Sequence, residues 1–280
     1  MVTTMPDKIS KLLENIPAFS LAAQKALKQI DESQTDLLHL ARTLESEPSL
    51  VAQILRVANS PFYGLSGQIK GIREACMVLG QHTLRNLILA AAVSEVLDNL
   101  DNTEDDFVMS WNHCIHTATV ARQLAMQLKL DSDASYTAGL LHDIGMLIIS
   151  AILPEEKEKI NKRIAEGVSL LDAESNELGL DHEQLGCAVS KQWNLPDDIT
   201  EAICSHHTPN ENPQALVDIT HTANAISEWM REPDRVEEQL LKYIEPESMQ
   251  RLALSLDTLS ELIQHVPTIE EACAERASAA

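Results

Sequence analysis

His142 and Asp143 stand together inside GLLHDIGMLIISAIL, where ten of the fifteen residues from Gly139 to Leu153 are Leu, Ile, Met or Ala. A carboxylate buried in such a run is costly unless it is paired, hydrogen-bonded or bound to a metal. The two residues therefore need partners elsewhere in the chain. Imidazole and carboxylate together suit Fe, Mn, Zn, Ni or Co better than calcium. A bridging Asp143 could hold one ion or two, as in hydrolytic metal sites.

Nine further histidines are available as partners. Projection at about 100° per residue places His113 beside Val120 and Leu124, at the edge of an apolar stripe, so it should face inward. His116 falls about 60° further round, toward Gln123 and Gln127, and should be the more exposed of the two. DHEQ (Asp181 to Gln184) has the form of a capping box, which puts His182 in a first helical turn. In DDITEAICSHHTP, Ile199, Ala202, Ile203 and His206 share a face, His207 is adjacent, and the helix should stop before Pro209. A single histidine on an apolar face is more often a hydrogen-bonded core residue than a ligand. His39, His82, His221 and His265 are read that way. Several histidines on four separate helices, one beside a buried aspartate, fit that reading poorly.

The elements that must position these residues read almost entirely as helix, which predicts an all-α fold. Pro48 leads into SLVAQILRVAN (Ser49 to Asn59), with proline well placed in a first turn. SPFYGLSGQIKG (Ser60 to Gly71) reads as a long loop, and RNLILAAAVSEVL (Arg85 to Leu97) as a largely apolar, buried helix. DNLDNTEDD (Asp98 to Asp106) carries five acids and marks a boundary. It separates an N-terminal helical lobe (residues 1–100) from a lobe bearing the His/Asp cluster (107–230). C-terminal helices and tail (231–280) should be peripheral. Within the second lobe, breaks are expected near Asp131, Pro154, Gly167, Gly179, Pro196, Pro209 and Pro213.

Bulk properties narrow the function classes. With 21 Lys and Arg against 43 Asp and Glu, the formal charge is −22, which repels phosphate backbones and anionic lipid. Neither nucleic acid nor membrane is an expected partner. The longest apolar runs, such as LILAAAV (Leu87 to Val93), fall far short of a membrane span. No secretory pattern is visible in MVTTMPDKIS, and the expected location is cytoplasmic. Five cysteines, with no C-x-x-C pair, argue against a disulfide framework or a thiolate zinc site.

The ordered series His113, His142-Asp143, His182 and His206-His207 resembles the HD superfamily of metal-dependent phosphohydrolases, with GLLHDIG matching its namesake motif. More narrowly, the chain resembles HDOD proteins, the HD-related output domains of bacterial signalling. The resemblance runs through IPAF (Ile16 to Phe19), EPSLVAQILRVANSPFYG (Glu47 to Gly64) and IREACMVLGQHTLRNLILA (Ile72 to Ala90). It continues through WNHC (Trp111 to Cys114), LGLDHEQLG (Leu178 to Gly186) and WNLPDDITEAI (Trp193 to Ile203). The resemblance implies an N-terminal helical bundle followed by an HD-like bundle. It also implies that His113, His142, Asp143, His182, His206 and, more weakly, His207 occupy metal-ligand positions.

The aspartate that closes the site in catalytic relatives is expected after Pro213, where this chain has Asn224, a neutral and weaker ligand. Asp218 cannot take its place, because six helical residues turn it about 120° away. The cyclic-dinucleotide phosphodiesterases of the superfamily also carry a lysine after HDIG and a GYP segment after the histidine pair. Here Met146 and TPNENPQ (Thr208 to Gln214) stand instead, removing the expected cationic clamp. The resemblance thus implies a non-catalytic signalling output module with a degenerate metal or ligand pocket and an unidentified protein partner. A metal-dependent phosphohydrolase of nucleotides or other phosphoesters, working through Asp143 and its bound metal, is the alternative. A third possibility is a histidine-filled core without metal.

Overall fold

The computed structural model describes residues 12–14, 16–30, 36–59, 69–98, 105–232 and 237–272. Among the described residues there are fifteen helices and no strand, so the all-α expectation holds. The chain divides into two compact units, one built around Ala18–Asn99 and the other around Leu100–Ile269.

The first unit contains α1 (Leu21–Ile30), α2 (Leu37–Leu44), α3 (Pro48–Ala58) and α4 (Ile72–Asp98). Asp36 caps α2 by accepting the Leu38 and His39 amides at 2.9 and 3.2 Å. The run Leu87–Val93 is buried throughout, as its composition demands. The helix is longer than the apolar run, and it bends at Gly80, whose φ of 77° and ψ of 169° depart from helical geometry. Of the expected loop, residues 60–68 lie outside the described residues. Its flanks are fastened by Asn59, whose amide group donates to the Ile69 carbonyl at 2.8 Å and accepts its N–H at 3.0 Å.

The second unit, which also takes in Met1–Pro17, contains α5 (Asp105–Leu128), which packs on α6 (Ser132–Leu141), α7 (Ile144–Ile152) and α12 (Ala215–Arg231). Between them come α8 (Pro154–Ala165), α9 (Leu170–Leu178), α10 (His182–Gln192) and α11 (Asp197–Ser205). The helix boundaries fall at the prolines and glycines that predicted them. A further break was not foreseen: α6 ends at Leu141 and α7 starts at Ile144, leaving His142 and Asp143 at the junction. Taken across that junction, Ser132–Ile152 has the length and mean hydropathy to cross a membrane, although Asp133, His142 and Asp143 interrupt its apolar runs. Of its most apolar 18-residue window, 78% is buried inside the protein, which accounts for the composition without a bilayer.

Three short helices follow: α13 (Glu237–Leu240), α14 (Pro246–Arg251) and α15 (Leu256–Ile263). They are not peripheral. Leu240, Ile244, Leu252, Leu254, Leu259, Leu262 and Val266 join Leu124, Ile226 and Trp229 in one buried apolar cluster. This covering also corrects the expectation for His116. The ring is fully buried, with Nε2 3.0 Å from the Pro267 carbonyl and Nδ1 2.9 Å from Ser227 Oγ.

Cys187 in α10 and Cys204 in α11, 17 positions apart in sequence, form a disulfide that the cysteine spacing did not announce. Among the described residues it is a single local crosslink rather than a framework. Cys76 and Cys114 are free and buried.

Candidate metal centre

Each residue of the cluster sits where an element begins, ends or turns its buried face. His113 lies on the inner face of α5, as its periodicity predicts. His142 is the C-cap of α6. Asp143 holds the N-cap position of α7 with φ −97° and ψ 23°, yet its side chain makes no capping bond. An aspartate there ordinarily accepts amides of the first turn. This one is turned toward histidines instead. The predicted capping box at Asp181 and Gln184 is present and makes His182 the first residue of α10. His206 caps the C-terminus of α11, with His207 next, and Asn224 projects from α12.

Two glycines permit this convergence. A Cβ on Gly145 would lie 2.0 Å from the His182 carbonyl oxygen and 2.8 Å from the Gly186 nitrogen. A Cβ on Gly139 would lie 2.8 Å from the Ala118 Cα. The two glycines of GLLHDIG thus let α7 approach α10 and α6 approach α5 at backbone distance.

Asp143 stands at the centre. Its Oδ2 is 3.2 Å from His142 Nε2 and 3.7 Å from His113 Nε2. Its Oδ1 is 3.3 Å from His206 Nε2 and 3.4 Å from His182 Nε2. His207 Nε2 lies 3.1 Å from His182 Nε2. Two overlapping groups share the aspartate: Asp143 with His182, His206 and His207, and Asp143 with His113 and His142. Within each, the potential ligand atoms lie within 4.8 Å of one another.

The surroundings fix which ring nitrogens face inward. His142 Nδ1 is 2.8 Å from the Gly139 carbonyl and His206 Nδ1 is 3.1 Å from the Ile203 carbonyl, so each Nδ1 donates and Nε2 carries the lone pair. His182 Nδ1 lies 2.7 Å from Glu174 Oε2, and the same oxygen accepts the His182 backbone N–H at 2.9 Å. A carboxylate behind a histidine in this way orients metal-ligating imidazoles and raises their basicity. Glu183 Oε1 accepts the His207 backbone N–H at 2.7 Å.

The donor set fits a divalent transition metal. Atoms bound about 2.0–2.2 Å from a shared ion stand about 3.0–3.5 Å apart at tetrahedral or octahedral angles. Most of the separations above fall in that interval. His142 Nε2 and Asp143 Oδ1 are buried without a hydrogen-bond partner, an expensive condition for groups of such polarity. His182 Nε2 and His207 Nε2, 3.1 Å apart, need a proton or a cation between them.

Electrostatics divide the histidines. Burial pushes His113 down to about 3, His206 to about 4 and His207 to about 2, so these rings are neutral. Burial also opposes the charge on His182, but Glu174 and then Asp143 outweigh it and raise the ring to about 9. For His142 the same burial is outweighed by Asp143, and its pKa is raised. Burial would raise the Asp143 pKa, but His142, His206 and His182 together hold it well below the usual carboxylate range.

Asn224 Oδ1 is 2.8 Å from His113 Nε2, so the asparagine reaches the cluster edge through its amide. Asp218 is turned away as predicted and accepts Arg251 at 2.6 and 2.7 Å and Ser248 at 2.7 Å. His221 is structural: its Nδ1 lies 2.7 Å from the His206 carbonyl and its Nε2 accepts the Glu245 N–H at 2.9 Å. Sequence reasoning missed Glu174, Glu183 and Glu228. Glu174 had a signal, an acid beside Ala173 and four residues from Leu178 on the buried face of α9. Glu228 lies one turn after Asn224, and its pKa is raised by burial and then by Asp143.

A helical unit that gathers histidine, histidine–aspartate, histidine and histidine–histidine in this order is an HD-type domain. The HDOD domain family matches residues 16–209, and the chain belongs to that family. Among solved structures, it is similar to a candidate phosphohydrolase of Shewanella amazonensis SB2B, with 22% identity, a TM-score of 0.77 and 97% of each chain covered. An HDOD domain protein of Geobacter sulfurreducens gives 21% identity and a TM-score of 0.75 over 99% of this chain and 98% of that one. A candidate signal transduction protein of Marinobacter aquaeolei VT8 gives 20% and 0.69 over 98% and 64%. At these identities the likeness establishes the fold.

Among sequence relatives, an uncharacterized Treponema pallidum protein is 26% identical over 271 residues, 92% of this chain and 51% of that protein. Ribonuclease Y of Chlorobium chlorochromatii is 29% identical over 161 residues, 56% of this chain and 26% of the enzyme. The chain therefore spans about half the length of the Treponema protein (51%) and about a quarter of this ribonuclease (26%).

Proposed function

We propose that the chain is a bacterial signalling output module of the HDOD type whose His/Asp cluster holds a divalent transition metal without turning over a phosphoester. The observation that carries the metal is the gathering of Asp143, His182, His206 and His207 ligand atoms within 4.8 Å in a buried setting. In this reading His113, His142, Asp143, His182 and His206 are the principal ligands, with His207 and Asn224 as weaker ones. Fe, Mn, Zn, Ni and Co are the ions whose preferences match.

Three features support binding without turnover. Asn224 leaves the set one negative charge short of the catalytic relatives it resembles. Met146 follows HDIG where phosphodiesterases have lysine, and its Sδ lies 3.8 Å from Ser110 Oγ. A thioether cannot neutralise charge developing on a phosphoryl group. Burial also works against substrate access, since His142, His182 and His206 have no exposed surface. The output would pass to a protein partner in the cytoplasm, the negative charge of −22 steering the chain away from nucleic acid and anionic membrane.

A second reading, a metal-dependent phosphohydrolase of a nucleotide or other phosphoester, draws on the likeness to ribonuclease Y. A bound divalent ion would then supply Lewis acidity and a water of lowered pKa, with Asp143 as the catalytic carboxylate. The two readings separate in one assay. Protein loaded with Mn²⁺ or Fe²⁺ is offered bis(p-nitrophenyl) phosphate, cyclic dinucleotides, nucleotides and short RNA. The signalling reading predicts bound metal and rates no greater than those of His142→Ala. Metal-dependent turnover that His142→Ala abolishes would establish the hydrolase.

A further inference from the structure

The helices that carry the second ligand group, α10 and α11, are also joined by a covalent bond. Cys187 lies five residues after His182 on α10, and Cys204 lies two residues before His206 on α11. Their Cα atoms are 4.8 Å apart. Beside the bond the helices already touch: a Cβ on Gly186 would come within 2.9 Å of Ile203 Cγ2. At the end of the same interface the Glu183 carboxylate holds the His207 amide, and His182 Nε2 faces His206 Nε2 at 3.4 Å and His207 Nε2 at 3.1 Å. The disulfide and the ligand atoms thus span one seam.

We propose that Cys187 and Cys204 form a thiol–disulfide latch on this cluster. The oxidised bond holds His182 against His206 and His207, and reduction loosens the set. Both cysteines are only half-buried, so a dithiol can reach them. One thiolate of the dithiol attacks a cysteine sulfur, breaking the S–S bond and releasing the other cysteine as a thiolate that takes up a proton. The second thiolate of the dithiol then resolves the mixed disulfide. Two electrons and two protons pass to Cys187 and Cys204, and the dithiol leaves as its own disulfide. Leu185, Val189 and Ile203 are buried, and this apolar packing keeps the helices folded while the seam loosens. The consequence for metal rests on the metal-binding reading above. The consequence for the seam does not.

The test uses the full chain, with thiol state set by dithiothreitol or glutathione disulfide and verified by alkylation and mass spectrometry. Zinc-loaded protein is challenged with a chelator, and hydrogen exchange is followed over residues 182–207. The latch predicts about tenfold faster zinc loss after reduction, of the order produced by changing the groups that hold metal ligands in place. It also predicts faster exchange over the same segment, recovery of both on reoxidation, and reduced-like behaviour of Cys187→Ser and Cys204→Ser under either condition. Equal zinc loss and equal exchange in the two redox forms would overturn the latch, as would thiols that never form the bond. If neither form takes up zinc, the metal reading fails separately. Exchange alone then decides: a redox difference supports the latch, and its absence overturns it.

Discussion

Asn224 Oδ1 lies 2.8 Å from His113 Nε2, so the asparagine that replaces an expected carboxylate is hydrogen-bonded to a histidine of the cluster. It keeps the geometry of the position while removing the charge. Asn224→Asp restores that charge without changing side-chain size and should tighten metal binding by about 10- to 100-fold, the range typical of changes around a metal site. Competition with a chromogenic chelator reads this directly. An unchanged dissociation constant would place Asn224 outside the metal's influence.

Glu174 works from behind His182. One of its oxygens holds both the ring Nδ1 and the backbone N–H of that residue. Glu174→Gln keeps the volume but loses the charge that raises His182 to about 9 against the opposing effect of burial. Metal affinity should fall about 10- to 100-fold, and the His182 pKa should fall with it. NMR titration of the metal-free variant measures the second effect independently of the first.

Protons and metal compete at His182 and His142. The metal-free His182 is raised to about 9: burial lowers it, and Glu174 followed by Asp143 overcome that effect. It is therefore protonated at neutral pH, and metal must displace the proton. Apparent affinity should rise with pH by about tenfold per unit for each displaced proton, then level off above about pH 9. His113, His206 and His207, pushed down to about 3, 4 and 2 mainly by burial, add no proton competition over this range. Calorimetry in buffers of different ionisation enthalpy counts the protons released. Affinity that stays flat between pH 6 and 9 would contradict the assignment.

Gly145→Ala should disturb the cluster without touching a ligand. The new methyl would lie 2.0 Å from the His182 carbonyl oxygen, so α10 must move. Overpacking of this kind typically costs about 1–3 kcal/mol. Denaturant unfolding should show at least that loss, together with weaker metal retention. Gly71→Ala is the control, because a Cβ there meets nothing within 4 Å, and it should stay within about 0.5 kcal/mol of the parent.

The parts of the fold that sequence made legible were those governed by local chemistry. Asp181 and Gln184 announce the start of α10, prolines and glycines mark most helix ends, and the burden of a buried Asp143 announces a cluster. His116 was misjudged because its own helix cannot reveal a cover that comes from Pro267, 151 residues away. The Cys187–Cys204 bond was invisible for a similar reason, since counting cysteines says nothing about which Cα atoms meet. The break at His142–Asp143 escaped notice because no proline marks it and Gly145 follows it. That glycine serves close packing against α10 rather than a turn. Glu174 could have been found, as an acid on an otherwise buried stripe.

Metal content is the most direct test of the central claim. The full chain should be produced without a chelator and without nickel affinity, then analysed by inductively coupled plasma mass spectrometry beside Asp143→Ala and His182→Ala. The account predicts at least about one divalent transition ion per folded chain, at a site where bond lengths of about 2 Å suit the gathered donors, and loss of that ion in both variants. Folded parent protein that holds no such ion, and takes none up from Zn²⁺, Mn²⁺ or Fe²⁺, would contradict it.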